Sequence, residues 1–134
     1  MPVISDAGFT YSDKTVFQPL DALEEGARAV ELPNDAAPET LDGHLGRLET
    51  VAIPFPGVGD GRGFSLARLL RERGFRGRLR ARGHLIPDQW PHARACGFDE
   101  VEIDTDRAAR QPEEQWQGAA PLPDYRARLA GRGG

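Results

Sequence analysis

From Val51 onward the chain alternates between short apolar runs and amphipathic stretches. Val51-Ala52-Ile53-Pro54-Phe55 is apolar at every position, as a strand buried on both faces would be. Between Ser65 and Arg73, the residues Leu66, Leu69 and Leu70 share one face of a helix, and Gly74 stands where a helix stops. A second strand is predicted over about Leu79 to Arg82, after a turn at Arg76-Gly77. Asp88 is placed to cap a short helix whose first turn holds Pro91, where the missing N–H does no harm. That helix ends at Gly97, Phe98 packs inward, and Val101-Glu102-Ile103 forms a third strand. A polar helix over about Asp106 to Gln117 covers that strand.

The part before Val51 reads as a cover for this repeat. Gly8-Phe9-Thr10-Tyr11 and Thr15-Val16-Phe17 flank Ser12-Asp13-Lys14 as the arms of a short hairpin. Asp21 is a cap for a short helix through Ala29, and Val30-Glu31-Leu32 is a strand closed by Pro33. From Pro38 to Leu48, Leu41, Leu45 and Leu48 make one helical stripe, which Gly43 and Gly46 each weaken by about 1 kcal/mol relative to alanine.

Strands alternating with helices specify an α/β fold with right-handed βαβ crossovers. The expected architecture is a small open parallel sheet of three to four strands, half-barrel or Rossmann-like, behind the N-terminal hairpin. The length of 134 residues predicts one domain, with its βαβαβ core over about residues 50–118 and a largely irregular tail over 119–134. So small an open sheet leaves edges that a homodimer would complete.

Composition narrows the chemistry. One cysteine, Cys96, excludes an intramolecular disulfide, a CxxC redox pair and a cysteine-ligated cluster. His44, His84 and His92 lack metal-ligand spacing, so no metal and no cofactor are expected. No apolar run approaches the roughly 20 residues that span a bilayer, and no export signal opens the chain, so a cytoplasmic protein is expected. The net charge of −4 conceals a basic block: residues 60–94 hold nine arginines against Asp60, Glu72 and Asp88. A positive field is therefore expected around residues 60–94.

Inside that block lies Pro56-Gly57-Val58-Gly59-Asp60-Gly61-Arg62-Gly63-Phe64, a glycine-rich turn between strand and helix. Four alternate glycines suit positive φ and close approach, and the N–H groups at a helix start suit an anion. The two common nucleotide motifs fail on spacing. GxGxxG needs glycine where Arg62 or Phe64 stands, and no lysine follows for a P-loop. In open parallel sheets ligands gather at the carboxyl ends of the strands, where Pro56–Phe64, Gly83–Gln89 and Asp104–Asp106 should meet. Asp60, Gly61, Arg62, Gly63, Ser65, Arg68, Asp88 and Gln89 are the candidate ligand- or partner-binding residues, with His84 and Asp104 beside them. Arg62 would fork onto an oxyanion, completed by Ser65 and the glycine N–H groups. The structural alternative makes Asp60, Ser65 and Asp88 helix caps and pairs Arg62 with Asp88.

No catalytic residue is assigned. Cys96 ends a helix, where the dipole raises a thiol pKa, and no base is evident beside it; it reads as a packing residue. His84 and His92 are the histidines that could serve as a general base, but neither has a positioned nucleophile or metal in the sequence pattern. Arg76, Arg78, Arg80 and Arg82 alternate onto one face of a strand. Unpaired charges are not tolerated inside a central strand, so this strand is expected near an edge, or with its charged part before the sheet proper. Its face is then a solvated surface or a dock for an acidic protein. Nucleic acid is not expected, because the chain is acidic overall and no aromatic residues interleave with the arginines.

One resemblance is specific. Ile53-Pro54-Phe55-Pro56, Asp60-Gly61-Arg62-Gly63-Phe64-Ser65, Ala67 to Arg73, Gly77, Leu79-Arg80-Ala81, Asp88-Gln89 and Cys96-Gly97-Phe98-Asp99 resemble the bacterial domain-of-unknown-function family 934 over about residues 50 to 104. The sequence departs from the family at His84-Leu85-Ile86-Pro87, where members commonly carry an acidic residue and an arginine. The resemblance implies an intracellular protein encoded beside assimilatory sulfite or nitrite reductase, labelled an oxidoreductase of sulfite reduction from gene neighbourhood alone. The implied function is an accessory one in sulfite or sulfate reduction, through contact with sulfite or nitrite reductase or with ferredoxin. The alternative is a small oxyanion-binding enzyme or sensor that uses the Asp60–Ser65 turn.

Overall fold

In the computed structural model, residues 3–5, 8–10, 15–23, 26–57, 60–103 and 116 are described. The strands are β1 (Val3–Ser5), β2 (Gly8–Thr10), β3 (Gln18–Pro19), β4 (Ala29–Glu31), β5 (Thr50–Phe55), β6 (Arg78–Gly83) and β7 (Glu100–Glu102). Helix α1 (Arg62–Glu72) joins β5 to β6, and helix α2 (Trp90–Cys96) joins β6 to β7. All seven strands form one sheet in the order β2-β1-β7-β6-β5-β4-β3. From β3 to β7 neighbours are parallel, while β1 runs antiparallel to both β7 and β2.

The α/β class and the crossovers follow the hydrophobic pattern, but the sheet has seven strands rather than three to four. The extra ones are two or three residues long, too short to show a period; pairing with longer neighbours makes them strands. The parallel strands follow chain order without reversal. That order differs from the doubly wound Rossmann arrangement, whose ligand crevice lies where the order reverses. The N-terminal hairpin keeps one expected arm, Gly8–Thr10, but pairs it with Val3–Ser5 rather than with Thr15–Phe17, which is irregular. Pairing to β7 draws β1 into the sheet.

Two expected helices are shorter. Asp21 lies in a single 3-10 turn, Leu20–Ala22, not at the start of a helix through Ala29. The stripe from Pro38 becomes a 3-10 turn, Pro38–Leu41, after which Gly43 adopts φ +88° and the chain proceeds by turns. Leu41 and Leu48 are still buried, so the apolar spacing was correct and only the backbone between them differs. The polar helix expected over Asp106 to Gln117 lies outside the described residues except for Trp116, which is helical, buried, and edge-on to Trp90 at 6.4 Å between ring centroids. The tail over 119–134 and the loop Asp104–Asp106 also lie outside them.

Alternation along the strands divides the sheet into two unlike faces. On one, Val51, Ile53, Phe55, Leu79, Ala81 and Val101 pack under α1 and α2 with Leu66, Leu70 and Phe98. Phe55 meets Phe64 at 5.0 Å and Phe98 at 5.7 Å, both tilted as aromatic quadrupoles prefer. Leu69, expected on this buried face, is 42% exposed. It lies between Leu66 and Leu70 in sequence but turns outward, because one helix face accommodates only part of a three-leucine cluster.

The opposite face carries a ladder of charge. Register sets Arg80 opposite Glu100 and Arg82 opposite Glu102. Arg78 grips Glu100, Arg80 bridges Glu100 at 2.6 Å and Glu102 at 2.8 Å, and Arg82 joins Glu102 at 3.1 Å to Glu31 at 3.5 Å. Phe17 lies against the guanidinium groups of Arg80 and Arg82. β6 does not lie near an edge: it sits between β5 and β7 with Arg80 buried, and of the four arginines only Arg76 lies before the strand. Buried charge is not left unpaired: Arg78, Arg80 and Arg82 are met by the glutamates of the neighbouring strand β7.

Arg71 performs a similar task among backbone groups. Buried under the ends of both helices, it donates to Gly97 O from Nε and Nη2, to Phe75 O and Gly77 O from Nη1, and to Asp99 Oδ2 from Nη2, at 2.7–3.1 Å. Gly97 closes α2 at φ +111°, and a Cβ there would lie 2.7 Å from Arg71 Cγ. One side chain thus pins the exits of α1 and α2 to the entries of β6 and β7.

Candidate functional site

Asp60 organises the turn before α1. Its Oδ1 accepts from the Arg62 backbone N–H at 3.2 Å and from Arg62 Nε at 3.0 Å, and its Oδ2 accepts from Arg62 Nη2 at 2.8 Å. Asn34 Nδ2, from the loop after β4, donates to the same Oδ2 at 3.1 Å. The Asp60 and Phe64 N–H groups bond to Gly57 O and Gly61 O. The Arg62 fork that would hold an anion already has a partner inside the chain, as do the N–H groups of Asp60, Arg62 and Phe64 in the same turn. Arg62 pairs with Asp60 rather than with Asp88, and the N-cap position of α1 is Gly61, whose neighbour's carboxylate substitutes for a capping side chain.

This grip holds the Asp60 carboxyl well below the usual carboxylate range, first through the Arg62 side chain, then its backbone N–H, then Asn34. A depressed folded-state pKa stabilises the fold above the unfolded value of about 3.8, and the contribution is lost as pH falls through the folded value. Urea unfolding should therefore show Asp60→Asn less stable than wild type at pH 7, with the gap closing toward pH 2. A gap independent of pH would sink this account of the turn.

Gly63 is required by packing. It sits in the first turn of α1, and a Cβ there would lie 2.5–2.9 Å from three atoms of the Phe55 ring. None of Gly57, Gly61 and Gly63 has positive φ, contrary to the expectation for this turn, and Gly59 lies outside the described residues. Gly63→Ala should cost about 1–3 kcal/mol by overpacking, and the double variant with Phe55→Leu should recover most of it. Equal losses with and without Phe55→Leu, measured by chemical denaturation, would contradict the assignment.

The other predicted site residues do not converge on Asp60. Ser65 lies one turn into α1, exposed, and is not a cap. Asp88 is exposed in the 3-10 turn Pro87–Gln89, and the residue preceding α2 is Gln89. Gln89 Oε1 accepts the Ile86 N–H at 3.1 Å, so the side chain closes its own turn. Arg68 reaches across the helices to Cys96 Sγ at 3.6 Å, and His92 Nε2 is 3.7 Å from the same sulfur. A base therefore does stand beside Cys96, one helical turn away, which the sequence reading did not find. Burial nevertheless pushes the thiol pKa up, and the side chain is enclosed, as befits a packing residue. Among the described residues no three His, Cys, Asp or Glu side chains are placed to hold a metal ion. No helix among them is long and apolar enough to cross a membrane.

The sequence reading also missed a half-open cleft of about 430 Å³ lined by Pro19, Leu20, Asp21, Glu31, Pro33 and Pro54. Register places Pro19 beside Glu31 and Glu31 beside Ala52, so the cleft lies at the carboxyl ends of β3, β4 and β5, on the helix-free face. Prolines at successive strand ends were the available signal. Pro54 is tolerated within β5 because pairing to β4 has ended at Ala52, while pairing to β6 continues to Phe55.

No curated protein and no solved structure matches this chain. A family model described as a bacterial protein of unknown function, DUF934, matches residues 29–125. That span begins at β4 and includes the Asp60 turn, Arg71, the charge ladder and both helices. The chain belongs to the DUF934 family of bacterial proteins.

Proposed function

We propose that this protein is an accessory factor of assimilatory sulfite or sulfate reduction that acts by docking an acidic protein partner through the outer face of α1. The observation that carries this reading is how the arginines of residues 60–94 are used. Seven of the nine are engaged in ion pairs within the chain: Arg62, Arg71, Arg73, Arg78, Arg80, Arg82 and Arg94. Arg68 and Arg76 have no ion-pair partner among the described residues, and both are exposed. Between them in sequence lies Leu69, one of two large apolar side chains exposed among the described residues. Leu69 is an apolar anchor, and the exposed guanidinium groups of Arg68, which touches Cys96 Sγ, and of Arg76, beyond the end of α1, are charges that can steer an encounter. The partner class, sulfite or nitrite reductase or ferredoxin, comes from the family resemblance.

The direct test is binding of purified sulfite reductase, nitrite reductase and ferredoxin from the same host, measured by interferometry at low and high salt. Binding to one of them, weakened by Leu69→Asp and by Arg68→Glu with Arg76→Glu, is the expected result. Failure of all three partners to bind, with normal growth of a deletion strain on sulfate, would remove the proposal. Sulfate, sulfite and phosphate should leave the thermal midpoint unchanged, since Asp60 holds the Arg62 fork. Stabilisation that Arg62→Ala abolishes would favour an oxyanion sensor instead.

A further inference from the structure

We propose that the acidic partner seats one of its carboxylates between Arg68 of α1 and His92 of α2, over the Cys96 thiol. This seat rests on the docking reading and extends its surface from α1 onto α2. Arg68 and His92 stand on different helices, and both are exposed. Arg68 Nη2 lies 3.6 Å and His92 Nε2 3.7 Å from the same atom, Cys96 Sγ. Donors gathered so closely around one atom are within reach of the two oxygens of a single carboxylate.

The convergence leaves the charge of Arg68 unspent. Seven of the nine arginines of residues 60–94 meet carboxylates, whereas Arg68 is held on sulfur. A thiol is a weak donor and a weak acceptor, so it orients a guanidinium without neutralising it. Burial pushes the thiol pKa up against the pull of Arg68, which keeps the sulfur uncharged. Among the described residues neither Arg68 nor His92 has an ion-pair partner, although the exposed Glu72 follows Arg68, and the exposed Asp88 precedes His92, by about one turn of chain.

The seat is also ordered in advance. The His92 ring packs edge-on against Phe64, with 4.6 Å between centroids, and the end of the Arg68 side chain is tied to Cys96. Side chains already held lose less entropy when a partner arrives. Leu69, beside Arg68 and 42% exposed, offers apolar contact next to the charge. The surface therefore fits an acidic segment in which a carboxylate adjoins an apolar side chain.

The experiment is interferometry of the full chain and its variants against purified sulfite reductase, nitrite reductase and ferredoxin from the same host. Arg68→Gln should weaken the partner that binds by about tenfold, and His92→Leu by about fivefold. Cys96→Ala should weaken it by about threefold, because both side chains are released. Cys96→Ser, whose hydroxyl is donor and acceptor in one, should keep the wild-type affinity. Circular dichroism establishes that each variant is folded, and His92, exposed on α2, tests the seat without opening the core. Arg28→Gln removes an exposed charge before β4 and should leave binding unchanged. Coupling glycinamide to the partner's carboxylates should abolish binding. A partner weakened by Leu69→Asp but indifferent to His92→Leu would overturn the seat and leave the docking reading standing. Equal losses from Arg28→Gln and Arg68→Gln, or undiminished binding of the amidated partner, would overturn the seat as well. No binding to any of the three proteins would remove the seat together with the docking reading.

Discussion

Arg71→Ala should lower the stability of this protein by about 3–5 kcal/mol, the loss found when one member of a buried, hydrogen-bonded charge cluster is removed. Domains of this size are stable by about 5–15 kcal/mol, so the variant would be marginal at best. The cause is the number of groups left behind. Three backbone carbonyls, of Phe75, Gly77 and Gly97, lose their side-chain donor at once, and Asp99 loses the nearer of its two cations, keeping Arg94 at 3.9 Å. Arg71→Lys keeps the charge but not the planar fork, whose donors serve carbonyls on both sides of the side chain; more than half of the loss should remain. Asp99→Asn should cost much less, because it disturbs one of the Arg71 contacts and Leu79 N–H can still bond to the amide oxygen. Urea denaturation of the three variants provides the comparison. An Arg71→Ala protein within 1 kcal/mol of wild type would show that the exits of the helices are held by something else.

The ladder on the helix-free face supplies the second large effect, with an added twist. Arg80→Met should cost about 3–5 kcal/mol, since it leaves Glu100 and Glu102 enclosed with only Arg78 and Arg82 to neutralise them. Removing an acid as well, in Arg80→Met with Glu102→Leu, should cost less than the sum of the single changes. A well-packed apolar pair stabilises a buried position about as well as an ion pair does. The double-mutant cycle reads that coupling directly, and unchanged urea m-values would show that the same surface is exposed on unfolding. Salt separates this ladder from the surface pair Arg28–Glu49, whose side chains are both 68% exposed. Moderate salt should erase the effect of Glu49→Gln and leave that of Arg80→Met. Additive losses in the cycle would mean that the six charges act independently.

Both effects bear on the function, because both dispose of charge that a sequence reading assigns to a partner. Alternate arginines in β6 look like a basic surface until β7 supplies its glutamates in register. The complementary spacing was present in the sequence, as arginine at 78, 80 and 82 and glutamate at 100 and 102. It could not be used without knowing that these two strands are neighbours. The same holds for Asp60 and Arg62, where local proximity was visible but the Asn34 contact from another loop was not.

Periodicity and stop signals in the sequence by themselves determined the βαβαβ unit, the inward set of Leu66, Leu70 and Phe98, and the glycine closures at Gly74 and Gly97. These depend on residues close in the chain, and local geometry suffices for them. The tertiary structure alone decided the number of strands, the outward turn of Leu69, the pairing of the arginines and the cleft beneath the prolines. Each of those depends on which segments lie side by side. Strands of two or three residues carry too little periodicity to announce it, and a charge takes its role from whatever the fold places opposite.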